Sequence, residues 1–319
     1  MTVAVLGAGA MGSLLAGMLA SAGEPVLLLA RPSAHVEAVA RQGLRIERPG
    51  GVVQRVHVPI STEPAAVAGV SSLVVLVKHW ATADALAPVA PHLGGRTLVV
   101  SLQNGLGTRE ALFASLPDHP AGLVTSGVTA QAALATEPGT IVHTGSGPTG
   151  LGLSGGADPR PVRALAAAMT RAGWDTVVEP DIQEATWRKL AVNAAINGIG
   201  ALAAVPNGWI AERDDLRELA RLIAAEVAAV AQAEGVEIAD AADTAIAVAR
   251  ATAANRSSML RDVERGRRTE VDAIHGVVAG LAARHGIDTP LVSALAAMIR
   301  ARESRAVPGH GGWKPIGDA

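Results

Sequence analysis

Thr2-Val3-Ala4-Val5-Leu6-Gly7-Ala8-Gly9-Ala10-Met11-Gly12 is a short β-branched and apolar run followed at once by G-x-G-x-x-G. Such a run suits a strand buried on both faces. A helical pattern follows over Ser13–Ala22, closed by Gly23, and a second apolar run, Pro25–Ala30, ends at Arg31. Strand, glycine loop, helix and strand in this order predict a dinucleotide-binding unit. Gly7 permits the tight turn, Gly9 lets backbone approach a pyrophosphate, and Gly12 lets helix and strand pack closely. The helix N-terminus adds N–H groups and a positive dipole end. Gly7, Ala8, Gly9, Ala10, Met11 and Gly12 are therefore the expected phosphate loop. A flexible glycine-rich turn is the plain alternative.

The end of the second strand selects the cofactor. A carboxylate there accepts from a ribose 2′-hydroxyl. This chain has Arg31, whose guanidinium suits a 2′-phosphate. The expected cofactor is NADP(H).

Further strands are predicted over 73–77, ending at Lys78, and 97–101, ending at Gln103-Asn104-Gly105. Between them, Asp84–Leu93 reads as one helix. Ligands of open α/β sheets bind beyond the carboxyl ends of the strands. Lys78 and Asn104 stand at such ends and join the expected cofactor contacts. Short strands are expected within 44–60, then over 122–131, 139–146, 149–153 and 176–178, with a helix over 161–172.

From Ile182 the period becomes helical, over 182–203, 209–234, 240–264, 269–285 and 289–304. The expected fold is an α/β N-terminal Rossmann-type domain (1–180) followed by an all-α domain (181–305) and a loose tail (306–319). At 319 residues two domains are the ordinary outcome. The chain is 49% hydrophobic and 18% charged with net charge -2, which argues against nucleic acid or an anionic membrane as partner. It has no cysteine, so disulfide and thiolate chemistry are excluded. Its histidines lack metal-ligand spacing, so no metal is expected. No run reads as a membrane span, and no cation precedes the apolar N-terminus as in a secretory signal. A cytoplasmic location is the expectation.

Lys189, Asn193 and Asn197 recur every fourth residue within an otherwise apolar helix, forming one polar stripe. Burying an ammonium and two amides without partners is costly, so the stripe should face a cleft opposite the nucleotide fold. The chain has 27 Lys+Arg, yet its only lysines are Lys78, Lys189 and Lys314. Lysine, unlike arginine, loses its proton on burial, which suits acid–base work. An ordinary surface lysine fits the spacing equally. A second cluster spans Asn255 to Asp272. Asn255, Ser258 and Asp262 are read on one helical face, Gly266 ends that helix, and Thr269 caps the next with Glu270 in its first turn. A solvated face, and a carboxylate that only offsets the helix dipole, fit these residues too.

Arg31, V-K-x-W at 77–80, Q-N-G-x-G at 103–107, W-x-K-L-x-x-N-x-x-x-N at 187–197 and N-x-S-S-M-x-x-D-V-x-x-G-R-x-T-E-x-D at 255–272 form an ordered set. Together with the glycine loop it resembles the ketopantoate reductase family, from residue 3 to about residue 300. The resemblance implies NADPH-dependent reduction of 2-dehydropantoate, a small-molecule 2-keto acid. It implies catalytic roles for Lys189 (as general acid) and Glu270, and substrate contacts from Asn193, Asn197, Asn255 and Ser258. It implies cofactor contacts from the glycine loop, Arg31, Lys78 and Asn104. A paralogous reductase of another 2-keto acid and a non-catalytic NADPH sensor are the alternatives. A homodimer is compatible with the sequence, which does not itself fix oligomeric state.

Overall fold

The computed structural model describes residues 1–153 and 157–304. The expected tail (306–319) lies outside the described residues. The chain divides into two compact units: Met1–Gln103 with Gly107–Ile182, and Asn104–Leu106 with Gln183–Ala319.

The first unit begins β1 (Val3–Leu6), α1 (Ala10–Ser21), β2 (Val26–Leu29), α2 (Ala34–Gln42), β3 (Leu44–Glu47), β4 (Val53–Val56), β5 (Ile60–Ser61), β6 (Ser72–Val75). It continues α3 (Thr82–Leu86), β7 (Leu98–Ser101), α4 (Thr108–Ser115), β8 (Val124–Thr129), β9 (Ala132–Glu137), β10 (Thr140–Gly145), β11 (Thr149–Gly152), α5 (Arg160–Arg171) and β12 (Thr176–Glu179). Eight strands form one sheet in the order β12-β11-β8-β7-β6-β1-β2-β5. It is parallel except where β11 runs against β8. The central strands are nearly pure Val and Leu, buried along their length, because a parallel sheet is covered on both faces. The strand order reverses around β1, whose neighbours are β2 and β6. Ligands of open α/β sheets bind at such a switch point. A second sheet, β4-β3-β10-β9, packs against α1. Trp174 is fully buried here, its indole N–H donating to Thr149 Oγ1 at 2.8 Å.

This unit departs from expectation in three places. Asp84–Leu93 is not one helix: α3 ends at Leu86 and a separate 3₁₀ turn spans Ala90–His92. Pro88 and Pro91 lack the N–H that a continuing helix needs. The strand predicted over 122–131 does form, as β8. The Ala-rich β9 was not predicted, because antiparallel pairing with β10 holds it rather than any propensity of its own. Helix α4 was also missed. It starts after Gly107, whose φ of +76° reads as a turn.

The second unit is helical: α6 (Gln183–Ala203), α7 (Asn207–Glu212), α8 (Asp214–Ala233), α9 (Ala241–Ala251), α10 (Ser258–Glu264), a π-helical turn (Asp272–Gly276), α11 (Val277–His285) and α12 (Pro290–Ser304). Its core is Ala, Val, Leu and Ile around α6, which packs on α8, α9, α10 and α12. Two predicted helices are broken. The stretch 209–234 bends at Arg213, whose ψ of 127° is extended. Asp214 and Asp215 then open α8, where carboxylates favour the helix N-terminus. The stretch 240–264 is interrupted after Ala251, and Ser257 caps α10 by accepting from Leu260 N at 3.2 Å. Asn255 therefore does not share a helical face with Ser258 and Asp262. No helix among the described residues is long and apolar enough to cross a membrane.

Candidate functional site

The nucleotide edge of the first unit is built by backbone. Gly7 follows β1, has φ +112°, and donates its N–H to Leu29 O at 2.8 Å. A Cβ on Gly12 would lie 1.9 Å from Gly7 O, so only glycine closes this turn. A Cβ on Gly9 would meet nothing within 4 Å, which leaves open space above the loop. Helix α1 starts at Ala10, earlier than the periodicity of 13–22 suggests. Its cap, Gly9, has no side-chain bond, and its first turn holds no acidic residue. Its leading N–H groups and dipole end are therefore not taken up by a capping side chain or a first-turn carboxylate of the helix itself. These features fit the pyrophosphate of a dinucleotide. Arg31 is exposed just beyond the end of β2. Lys78 is partly buried, just after β6, at the start of a 3₁₀ turn (His79–Ala81). Gln103 anchors the end of β7: its amide donates to Val77 O and Thr82 Oγ1, both at 2.8 Å, and accepts from Ser101 Oγ.

The second unit gathers Lys189, Asn104 and Glu270. Lys189 Nζ donates to Asn104 Oδ1 at 2.9 Å, and Asn104 Nδ2 donates to Glu270 Oε2 at 3.3 Å. The amide orientation follows from chemistry, since its oxygen must face the ammonium and its nitrogen the carboxylate. Glu270 is buried at the end of a turn in which Val271 N donates to Thr269 Oγ1. Desolvation lowers the Lys189 pKa to about 8, and the charge of Glu270 acts against that fall. The lysine is only partly hidden by surface, but its ammonium is the desolvated end.

Asn193 and Asn197 lie on α6 with Lys189, one turn and two turns on. Asn197 is buried and Asn193 half-buried, and neither amide has a hydrogen bond among the described residues. Ser258 is exposed in the first turn of α10. Asn255 sits in the preceding loop, where its carbonyl accepts from Asn207 N at 2.9 Å. The structure thus joins Lys189, Asn104 and Glu270 directly, while Asn193, Asn197, Asn255 and Ser258 touch none of them through a hydrogen bond. Asn104, expected among the cofactor contacts, is the bridge of the polar cluster.

Sequence reasoning missed the supporting residues. Asn207 and Gly208 clamp the Asn255 loop: Gly208 N donates to Ala253 O at 3.0 Å, and Asn207 Nδ2 donates to Thr252 Oγ1 at 2.9 Å. The Asn-Gly pair was legible only as a turn. Gln103 is visible in the sequence as part of Q-N-G-x-G, but nothing local marks it as an anchor.

Residues 3–156 match the family described as Ketopantoate reductase PanE/ApbA, and residues 181–303 match its C-terminal counterpart. A 2-dehydropantoate 2-reductase of Halobacterium salinarum is 38% identical over 302 residues, covering 94% of this chain and 98% of that protein. The crystal structure of a PanE/ApbA family ketopantoate reductase from Ralstonia eutropha JMP134 is 32% identical, with a TM-score of 0.86 over 96% of this chain and 99% of that one. A D-mandelate dehydrogenase in complex with NADH is 25% identical, with a TM-score of 0.86 over 96% of this chain and 100% of that one.

Proposed function

Since the chain belongs to the ketopantoate reductase PanE/ApbA family of oxidoreductases, we propose that it reduces 2-dehydropantoate to pantoate with NADPH, using Lys189 as general acid. The observation that carries this reading is the Lys189–Asn104–Glu270 chain of hydrogen bonds.

NADPH, when bound, supplies the hydride for the C2 carbonyl. Gly7–Gly12 and the start of α1 hold its pyrophosphate, and Arg31 holds the 2′-phosphate that distinguishes it from NADH. Lys78 is a further cofactor contact. Lys189 hydrogen-bonds the carbonyl oxygen, stabilises the charge that develops there, and gives up its proton. With a pKa of about 8 it is mostly protonated at neutral pH, yet releases that proton more readily than an ordinary lysine. Glu270, through Asn104, keeps the ammonium charged and aimed. Asn193 and Asn197 have unspent amide groups for substrate oxygens. Asn255 and Ser258 hold the carboxylate end.

A second reading, a reductase of another 2-keto acid, is favoured by the similarity to D-mandelate dehydrogenase. NADPH oxidation with ketopantoate and a panel of 2-keto acids separates the two. Highest kcat/KM on ketopantoate supports the first reading. Turnover confined to another acid replaces it with the second. Tight NADPH binding with no turnover on any acid sinks both.

A further inference from the structure

His275 is fully buried in the π-helical turn, and no step above uses it. Its Nε2 lies 3.0 Å from the carbonyl of Ala194, on α6 between Asn193 and Asn197. A carbonyl only accepts, so Nε2 carries the proton and donates it. Nδ1 is buried with no hydrogen-bond partner. Burial lowers the pKa of His275 to about 4, with Arg300 the nearby charge, so the ring is neutral. The contact requires Gly198, where a Cβ would stand 2.7 Å from Nε2.

The same turn holds the other two members of the polar cluster. Glu270 O accepts from both Ala273 N and Ile274 N at 3.1 Å, and Ala273 O accepts from Leu106 N at 3.2 Å. Gly105 has φ +98° and lies against that carbonyl, where a Cβ would come within 2.4 Å of Ala273 O. Asn104 is thus fixed through its chain neighbours to the segment that carries Glu270. Further support comes from Glu303, which accepts from Thr269 N at 2.6 Å, and from Arg300, which pairs with Asp272. Single-turn π-helical segments are frequent at functional sites.

The geometry points to His275 as a positioning residue: by holding Ala194 O it keeps the turn that carries Glu270 and Asn104 in register with Lys189 on α6. This rests on the catalytic reading of Lys189 given above. Lys189 Nζ to Asn104 Oδ1 and His275 Nε2 to Ala194 O are hydrogen bonds that tie α6 to the loop at Asn104 and to the π-helical turn. Removing the imidazole takes away the turn's polar tie to Ala194 O and leaves the packing of Val271 and Ile274 in the α6 core, which does not fix register as a directional bond does.

His275→Met keeps the bulk and removes the donor, whereas His275→Gln returns an N–H near the Nε2 position. With ketopantoate and NADPH, H275M is expected to lose ~10-fold or more in kcat with KM for NADPH within about 2-fold, and H275Q to recover most of it. The second readout is independent of turnover. The chain has only Lys78, Lys189 and Lys314, so selective lysine ¹³Cε labelling resolves the titration of Lys189 by NMR. Glu270→Gln should lower the Lys189 pKa in the wild-type background and lower it less in H275M. An equal effect of E270Q in both backgrounds overturns the inference, whether or not kcat falls, because that is the mark of mere packing. Where H275M does not fold, Gly105→Ala disturbs the same register from the Asn104 side, and an undiminished E270Q effect there overturns it too. A wild-type protein inactive on every 2-keto acid refutes the proposed function, while the titration cycle still decides the role of His275.

Discussion

The glycine loop of the first unit and the polar cluster of the second are built in opposite ways. The loop is local: Gly7 to Gly12, one helix start and the ends of neighbouring strands suffice, and backbone atoms supply its chemistry. The cluster is non-local. Lys189 and Asn104 are 85 residues apart, Asn104 and Glu270 are 166 apart, and side chains supply everything. A backbone site tolerates changes of side chain but not the addition of a Cβ. A side-chain site depends on each group and on the register of the elements that carry them.

The comparison breaks first at Lys189. Lys189→Ala is expected to lower kcat by at least ~10²-fold, the scale of a general acid, with NADPH affinity nearly intact. Steady-state kinetics with direct NADPH titration checks it, and near-wild-type turnover removes the lysine from the mechanism. Gly12→Ala is the counterpart at the loop. Its Cβ would overlap Gly7 O, so a cost of ~1–3 kcal/mol in stability is expected, together with weakened binding of NADPH and NADH alike. Thermal melts with and without nucleotide measure both, and an unchanged melting temperature would show that the turn has room to relax. Arg31→Ala separates the two cofactors. KM for NADPH should rise about 10-fold with little change for NADH, the loss of a charge-assisted pair. Equal effects on both nucleotides would refute the 2′-phosphate role.

A pH series sharpens the contrast with the smallest change to the protein. As the proposed general acid, Lys189 must carry its proton, so kcat/KM, which reports the free enzyme, should fall as pH rises through about 8. Stability moves the other way. The folded pKa of Lys189 is depressed below its ordinary 10.5, so the unfolded chain binds more protons between about 8 and 10.5. The lysine's contribution to stability is therefore complete above 10.5 and is lost as pH falls to about 8. A Lys189→Met variant should flatten this slope in denaturant titrations at several pH values. An identical slope would place the titration elsewhere.

The elements of the first unit were legible where a local rule dictates them. Apolar runs such as Leu98–Ser101 declare buried parallel strands, and the glycine spacing declares the phosphate turn. Ala132–Glu137 was not legible, since partner strand β10 makes it a strand. The polar stripe on α6 was visible because a four-residue spacing survives in any helix. That Lys189 meets Asn104, that Asn104 meets Glu270, and that Asn255 leaves the helix to sit over Asn207 were not visible.

The amino-acid order thus determined the dinucleotide fold, the helical second unit and the residue types of the candidate site, because turns, caps and periodicities act over a few neighbours. Tertiary structure decided which polar groups meet and how far the lysine's proton is loosened. Hydrogen bonds across 85 or 166 residues, and the desolvation that brings Lys189 to about 8, depend on packing that no local pattern encodes.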